Sequence, residues 1–209
     1  MEAGVEIMEM YEFDLEYGDV IGIDEAGRGP LAGPVVAAAV KIKNIVPEFE
    51  MINDSKKLTE KKREALFDVI MENCYVGVGV VGAKKIDEIN ILNATFMAMR
   101  AAIEGLKKEG IEWELALVDG NHKIREYTGE QLPVIKGDGK SLAVAAASII
   151  AKVTRDRMMV EKGLEFPDYL FEKHKGYGTK AHREAIIENG PCKYHRISFL
   201  GNILKPKLF

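Results

Sequence analysis

Hydrophobic residues fall along this chain in two kinds of run, short ones rich in Val and Ile and longer ones with helical spacing, and the two kinds alternate. "DVIGID" and "PVVAAAVKI" are short apolar segments separated by glycines and prolines, which predicts neighbouring strands joined by a special turn. "LTEKKREALFDVIMEN" predicts a helix with Thr59 as N-cap and Leu66, Val69 and Ile70 on its buried face. "CYVGVGVVG" alternates Val with Gly, the pattern of a strand whose neighbours approach closely. Leu92, Phe96, Met99, Ile103 and Leu106 then recur at intervals of three and four, marking a core-facing helix that Gly110 stops. "ELALVDG" and "LPVIKGD" predict two more strands, ending at Asp119 and Asp138. "SLAVAAASIIAKVTRDRMMVEK" is a helix so rich in Ala and Ile that its first half must be buried, with small side chains suited to close packing on a sheet. "GTKAHREAIIENG" is a last helix, capped by Thr179 and stopped by Gly190, and the tail beyond it reads as irregular.

Strands interleaved with helices argue an α/β fold, and the initial hairpin-like pair makes its sheet mixed. A chain of 209 residues accommodates one sizeable core with an appendage. The expected division is an acidic N-terminal extension over 1–18, a core over 19–166, and a small helical appendage with its tail over 167–209. That last boundary is set where Pro167, Gly176 and Gly178 interrupt helical patterning.

Composition narrows the class. Hydrophobic residues make up 47% of the chain, enough for a buried core. No uncharged apolar run approaches the roughly 20 residues needed to cross a bilayer, and the acidic N-terminus lacks the basic-then-apolar order of a signal peptide. The expectation is a cytoplasmic protein with no membrane association. Cys74 and Cys192 stand far apart without CxxC spacing, which argues for reduced thiols, the first in the core and the second in a loop.

A net charge of −4 hides a strong asymmetry. Nine acids precede Gly27 and no Lys or Arg does, whereas from Lys173 onward eight Lys and Arg face only Glu184 and Glu188. Such a basic segment is a candidate footprint for a polyanion, although a basic surface is more often simply solvated.

Three aspartates share one context: Asp24, Asp119 and Asp138 each follow an apolar strand and precede a glycine, and Glu25 adjoins the first. Functional groups of open α/β sheets gather outside the carboxyl ends of strands. One Asp in that position is ordinarily a turn residue or a helix cap; three of them with a Glu raise the functional reading above that. Converging carboxylates repel, and the simplest remedy is a hard divalent cation held by oxygen, Mg²⁺ or Mn²⁺. Paired cations suit in-line displacement at phosphorus and require no side-chain nucleophile.

"GIDEAGRGPLAGPVVAAAV", "DSKKLTEKKRE", "VDGN", "IKGDGKS", "AASIIAKVTRDR", "HKGYGTKAH" and "HRISF" occur in this order between Asp19 and Phe199. Together they resemble the bacterial-type ribonuclease HII family. The resemblance implies a ribonuclease H-like mixed sheet flanked by helices, and a metal-dependent endoribonuclease that leaves 5′-phosphate and 3′-hydroxyl ends. It implies as substrates RNA/DNA hybrids and duplex DNA carrying single ribonucleotides, cut at the RNA–DNA junction. It assigns the catalytic and metal-binding roles to Asp24, Glu25, Asp119 and Asp138, with two Mg²⁺ or Mn²⁺ ions. Gly27, Arg28 and Gly29 would read the ribose 2′-hydroxyl through backbone groups, and Tyr177 would pack on the sugar beyond the scissile ribonucleotide. Lys56 and Lys57 are expected near phosphates.

Ser141 and Ser148 could hydrogen-bond a phosphate or a metal ligand, but small residues in an Ala-rich helix are more often packing. Asp156 could stand behind the metal ligands but is expected to pair with Arg155, Arg157 or a helix end, and His195 and Arg196 are read as structural. No obligate protein partner is expected, and the chain is expected to act as a monomer. Two other readings remain: a small-molecule phosphohydrolase with an aspartyl nucleophile, which would want an Asp-x-Asp that "IDEAGRG" lacks, and a non-catalytic nucleic-acid-binding module. The second leaves strand-end carboxylates that would repel the polyanion.

Overall fold

In the computed structural model, which describes residues 2–204 apart from the side chains of 2–6 and 53–57, the strand patterns form one five-stranded sheet. Its strands are β1 (Val20–Ala26), β2 (Val35–Ile42), β3 (Cys74–Val81), β4 (Leu115–Asp119) and β5 (Gln131–Val134), in the order β3-β2-β1-β4-β5. β1, β2 and β3 pair antiparallel, while β4 lies parallel to both β1 and β5. The sheet is mixed, as the hairpin pattern requires.

Helices cover both faces. On one lies α4 (Ile91–Lys108), preceded by α3 (Ala83–Ile89); its Phe96, Met99, Ile103 and Leu106 pack with Ile21, Ile23, Ala37 and Ala39 of the sheet. On the other lie α2 (Glu60–Asn73) and α5 (Leu142–Glu165), whose Leu66, Ile70, Leu142 and Ile150 join Ala38 and Val40. The Val–Gly alternation of β3 has the close approach it predicts: a Cβ on Gly77 or Gly79 would stand 2.0 or 1.9 Å from the carbonyl oxygen of Ala102 or Ala98 in α4. Gly22 does the same on the other face, where a Cβ would meet the Ala143–Val144 peptide of α5 at 2.1 Å. Thr59 caps α2 through the amide of Lys62 at 3.4 Å, and Asn90 caps α4 through that of Asn93 at 3.1 Å.

After α5 come α6 (Phe171–His174), α7 (Lys180–Asn189) and α8 (Gly201–Leu204), around a separate apolar cluster of Tyr169, Phe171, Ile186 and Leu200 with Met159 of α5. Thr179 caps α7, and Gly190 follows it at φ 73°. The tail is more regular than its sequence suggests, with a 3₁₀ turn at Ile197–Phe199 leading into α8. Cys74 is buried, Cys192 is half-buried, and neither forms a disulfide. Among the described residues, no helix is long and apolar enough to cross a membrane.

The acidic N-terminal segment holds a helix that hydrophobic spacing does not announce, α1 (Glu2–Glu16). It buries Ile7 and Met10 in the α2/α5 cluster and brings Asp14 to the first turn of α5. Ser141 caps that turn by accepting the amide of Val144 at 3.1 Å, so it is a helix cap as well as a packing residue. Asp14, only 3% exposed, accepts the amide of Ala143 at 2.9 Å, while its Oδ1 lacks a hydrogen-bond partner.

Burial pushes the Asp14 carboxyl from 3.8 up to about 6, against hydrogen bonds from Ser141, Ala143 and Leu142 that pull it down. The folded value exceeds the unfolded one, so the stability tied to the protonated form is complete below about pH 4 and lost as pH rises through about 6. Asp14→Asn abolishes this titration. Urea unfolding should therefore show the stability gap between wild type and Asp14→Asn moving by about 2 kcal/mol in the variant's favour from pH 4 to pH 6.5.

Candidate active site

β1 alternates its side chains between the two faces, so Asp24 and Glu25 leave its end in opposite directions. Asp24 turns toward α5, where Ser148 hydrogen-bonds it, and its Oδ1 also accepts the amide of Glu25 at 2.7 Å. Of the two roles its sequence position leaves open, Ser148 takes the hydrogen bond to a candidate metal ligand. The parallel register pairs Ile23 with Val118, so Asp24 and Asp119 emerge one step later from adjacent strands. Asp119 accepts the amide of Gly137 at 2.7 Å. That bond holds the 3₁₀ turn Gly137–Gly139, and with it Asp138, against the end of β4. The predicted strand over "LPVIKGD" stops at Val134; Lys136 turns left-handed at φ 57°, and Asp138 comes from the turn rather than from a strand end.

The carboxylates share one electrostatic field. Burial raises Asp24 well above the ordinary carboxylate range, and the charges of Glu25 and Asp119 push it further. Burial also raises Glu25, against the opposing pull of Arg28, whose guanidinium stands 3.2 Å away. An oxygen-only donor set in which neighbouring carboxylates oppose the ionisation of Asp24 and Glu25 fits a hard divalent cation. Among the described residues, no group of three or more His, Cys, Asp or Glu side chains is arranged to hold an ion. Glu25 pairs with Arg28, and Asp119 accepts the Gly137 amide.

The turn after β1 is shaped from inside by two buried arginines. Arg196, fully buried, donates to the carbonyls of Gly33 at 3.0 Å, Arg28 at 2.9 Å and Gly27 at 2.6 Å. Arg155 donates to those of Pro34 at 2.9 Å, Ala32 at 3.1 Å and Lys175 at 2.9 Å. Burial and the neighbouring Arg155 charge push the Arg196 guanidinium down to about 9, still protonated at neutral pH. Because trans peptides are planar, drawing the carbonyls of Gly27 and Arg28 inward turns the amides of Arg28 and Gly29 the opposite way. Gly27 sits at φ 93°, and a Cβ there would lie 2.0 Å from Arg155 Nε, whereas a Cβ on Gly29 would meet nothing within 4 Å.

Glu25, Gly27, Arg63, Ser148, Lys152 and Tyr177 line one cleft of about 260 Å³. Tyr177 is 44% exposed, and its loop is tied to the glycine turn by the amide of Leu31 donating to Gly176 O at 2.9 Å. Lys56 and Lys57 end the 3₁₀ stretch Pro47–Lys57, but their side chains lie outside the described residues. Asp156 pairs with Lys152 at 2.8 Å, not with either neighbouring arginine, because Lys152 lies one helical turn away on its face while Arg155 is turned into the core. Ser148, Lys152 and Arg155 follow at four and three along α5, a polar stripe in the apolar helix that spacing could have singled out. The basic C-terminal segment is only partly free for a polyanion, since Arg196 is internal and Lys193 engages Glu165.

A mixed sheet with carboxylates at the ends of adjacent parallel strands, flanked by helices on both faces, defines a ribonuclease H-like enzyme. The model of the ribonuclease HII family matches residues 21–201. A ribonuclease HII of Fusobacterium nucleatum is 61% identical over 204 residues, covering 96% of this chain and 95% of that protein. The ribonuclease HII of Archaeoglobus fulgidus, solved in complex with PCNA, aligns with a TM-score of 0.71 at 28% identity, covering 90% of this chain and 98% of that one. Bst-RNase HIII, solved in complex with Mn²⁺, shares the fold at a TM-score of 0.65 and 18% identity, with coverage of 91% and 67%. The chain belongs to the ribonuclease HII family. It is accordingly a ribonuclease H-type nuclease.

Removing the Arg196 fork should be costly even when its charge is kept. Arg196→Lys reaches fewer of the three carbonyls, and each buried acceptor left unpaired costs about 1–3 kcal/mol. Chemical denaturation should show a loss of roughly 2–4 kcal/mol.

Proposed function

We propose that the protein cuts the RNA strand of RNA/DNA hybrids and incises 5′ to single ribonucleotides in duplex DNA, leaving 5′-phosphate and 3′-hydroxyl ends. The observation that carries this reading is the shared cleft, where the carboxylate end of β1 meets the glycine turn and Tyr177. In this reading Asp24, Glu25, Asp119 and Asp138 hold two divalent cations, Mg²⁺ or Mn²⁺, which when bound supply an activated water and stabilise the leaving 3′-oxygen.

The remaining work falls to the chain itself. The outward amides of Arg28 and Gly29 meet the ribose 2′-hydroxyl, the group that separates RNA from DNA. Gly29 has open space around it, so its missing side chain serves approach of a ligand rather than packing. Tyr177 packs on the sugar beyond the scissile ribonucleotide, with Lys152 Nζ 5.9 Å from its ring centre. Lys152, Arg63, Lys56 and Lys57 offset phosphate charge without reading sequence. Bst-RNase HIII takes Mn²⁺, which fits an oxygen-only site in this fold. The active unit in this reading is a monomer without an obligate protein partner.

End-labelled duplexes with one, several or all ribonucleotides, each with Mg²⁺ and Mn²⁺, should show cuts at the 5′ side of the ribonucleotide. Uncut single-ribonucleotide duplexes would overturn the junction reading. Asp24→Asn should lower cleavage by roughly 10³-fold or more while the protein stays folded. Tyr177→Ala should slow single-ribonucleotide incision about 10- to 100-fold, the range of a lost stacking contact, with a smaller effect on continuous hybrids.

A further inference from the structure

His195 and His182 are buried, yet neither contacts a candidate metal ligand in the hydrogen bonds described here. They are linked through their Nε2 atoms at 3.0 Å. At one end of the pair the amide of Cys192 donates to His195 Nδ1 at 2.9 Å. At the other, His182 Nδ1 lies 2.9 Å from the carbonyl oxygen of Tyr177. A backbone amide only donates and a backbone carbonyl only accepts, so the ends dictate every proton between them. His195 carries its proton on Nε2 and donates to His182 Nε2; His182 carries its own on Nδ1 and donates to Tyr177.

That assignment needs both rings neutral, and burial pushes each down to about 4, with the nearby His174 pushing the same way. His174 stacks on His182 with ring centres 4.4 Å apart, and Phe171 meets the His182 ring edge-on at 5.5 Å. The rings are therefore fixed by packing as well as by hydrogen bonds.

The far end of the pair is anchored to the glycine turn. His195 forms a β-bridge with Ala32, the amide of Gly33 donates to Tyr194 O at 2.8 Å, and that of Arg196 donates to Leu31 O at 2.9 Å. The consecutive residues His195 and Arg196 thus reach in two directions: Arg196 to Gly27 and Arg28, His195 through His182 to Tyr177.

We propose that His195 and His182 are positioning residues, a relay of two neutral imidazoles that locks Tyr177 in register with the Gly27–Gly29 turn, so that two successive sugars are read as one unit. The proposal rests on the reading of Tyr177 as the contact to the second sugar. It makes neither histidine an acid or a base in the reaction, and it assigns them an effect on alignment rather than on chemistry.

The test compares the full-length wild type, His182→Phe, His182→Asn, Tyr177→Ala and the His182→Phe/Tyr177→Ala double variant on a single-ribonucleotide duplex with Mg²⁺, separating kcat from KM. Phe keeps the ring volume and removes both hydrogen bonds; Asn loses volume but keeps a donor for the Tyr177 carbonyl. His182→Phe should lower kcat/KM at least tenfold, His182→Asn should recover part of that loss, and His182→Phe should add less than twofold to Tyr177→Ala. A packing role gives the opposite order, so Phe matching or exceeding Asn overturns the relay, as does a full additive loss in the double variant.

Nitrogen-15 NMR of the histidines checks the bonds independently of activity. Protonated Nδ1 on His182 and protonated Nε2 on His195 support the relay; the reverse assignment overturns it. If Tyr177→Ala cuts like the wild type, the sugar-reading role of Tyr177 fails and takes the relay's function with it, while the tautomers still report whether the bonds exist.

Discussion

The contact that organises the site is the close approach of β1 to the first turn of α5, where Gly22 leaves no room for even one carbon atom. Because the helix backbone rests directly on the strand, residues further along α5 arrive at fixed positions beside the strand's end. Ser148 reaches Asp24, Lys152 enters the cleft, and Arg155 passes beneath the glycine turn. α1 and Ser141 hold the start of the same helix through the amides of Ala143 and Val144. A small shift of α5 would move the carboxylate's partner, the cleft lysine and the support of the turn together.

Opposite charges are kept apart at this site in an instructive way. The carboxylates stand where cations could join them, and burial, with the charges of Glu25 and Asp119 added to it, holds Asp24 well above the ordinary carboxylate range. Arg155 and Arg196 do not neutralise them by direct pairing, since their described hydrogen bonds all end on backbone carbonyls. Two full charges are spent on shaping a turn. Desolvating them costs several kcal/mol each unless the hydrogen bonding is complete, so the turn is held to one conformation by what it would cost to loosen it.

Much of this was legible in the sequence where the signal is periodic or local. Val–Gly alternation, the spacing from Leu92 to Leu106, the caps at Thr59 and Thr179, and the strand-end positions of Asp24 and Asp119 all reflect rules acting over a few residues. Helix α1 was hidden because its apolar contacts, Ile7 and Met10 in the core with Tyr11 and Phe13 packed partly against it, lie amid acids that read as a solvated tail. The position of Asp138 depended on a left-handed Lys136, a conformation that Lys rarely takes and that no pattern advertises. The polar stripe of Ser148, Lys152 and Arg155 shows in the spacing of α5, but what Ser148, Arg155 and Arg196 touch are distant segments, which spacing does not name. The family motifs located "HRISF" and "TRDR" without saying that their arginines point at one turn.

The bond from Arg196 to the carbonyl of Gly27 spans 169 positions of the chain. During synthesis the first strand leaves the ribosome early, but the guanidinium that shapes the turn beyond it follows only after every strand of the sheet has been made. Until then the sheet can collapse around its alanines and valines while the turn has Arg155 but not Arg196 beneath it. The turn is thus completed last by the order of manufacture, and an interrupted copy ending before Arg196 would carry the carboxylates with only part of the support of the loop beside them.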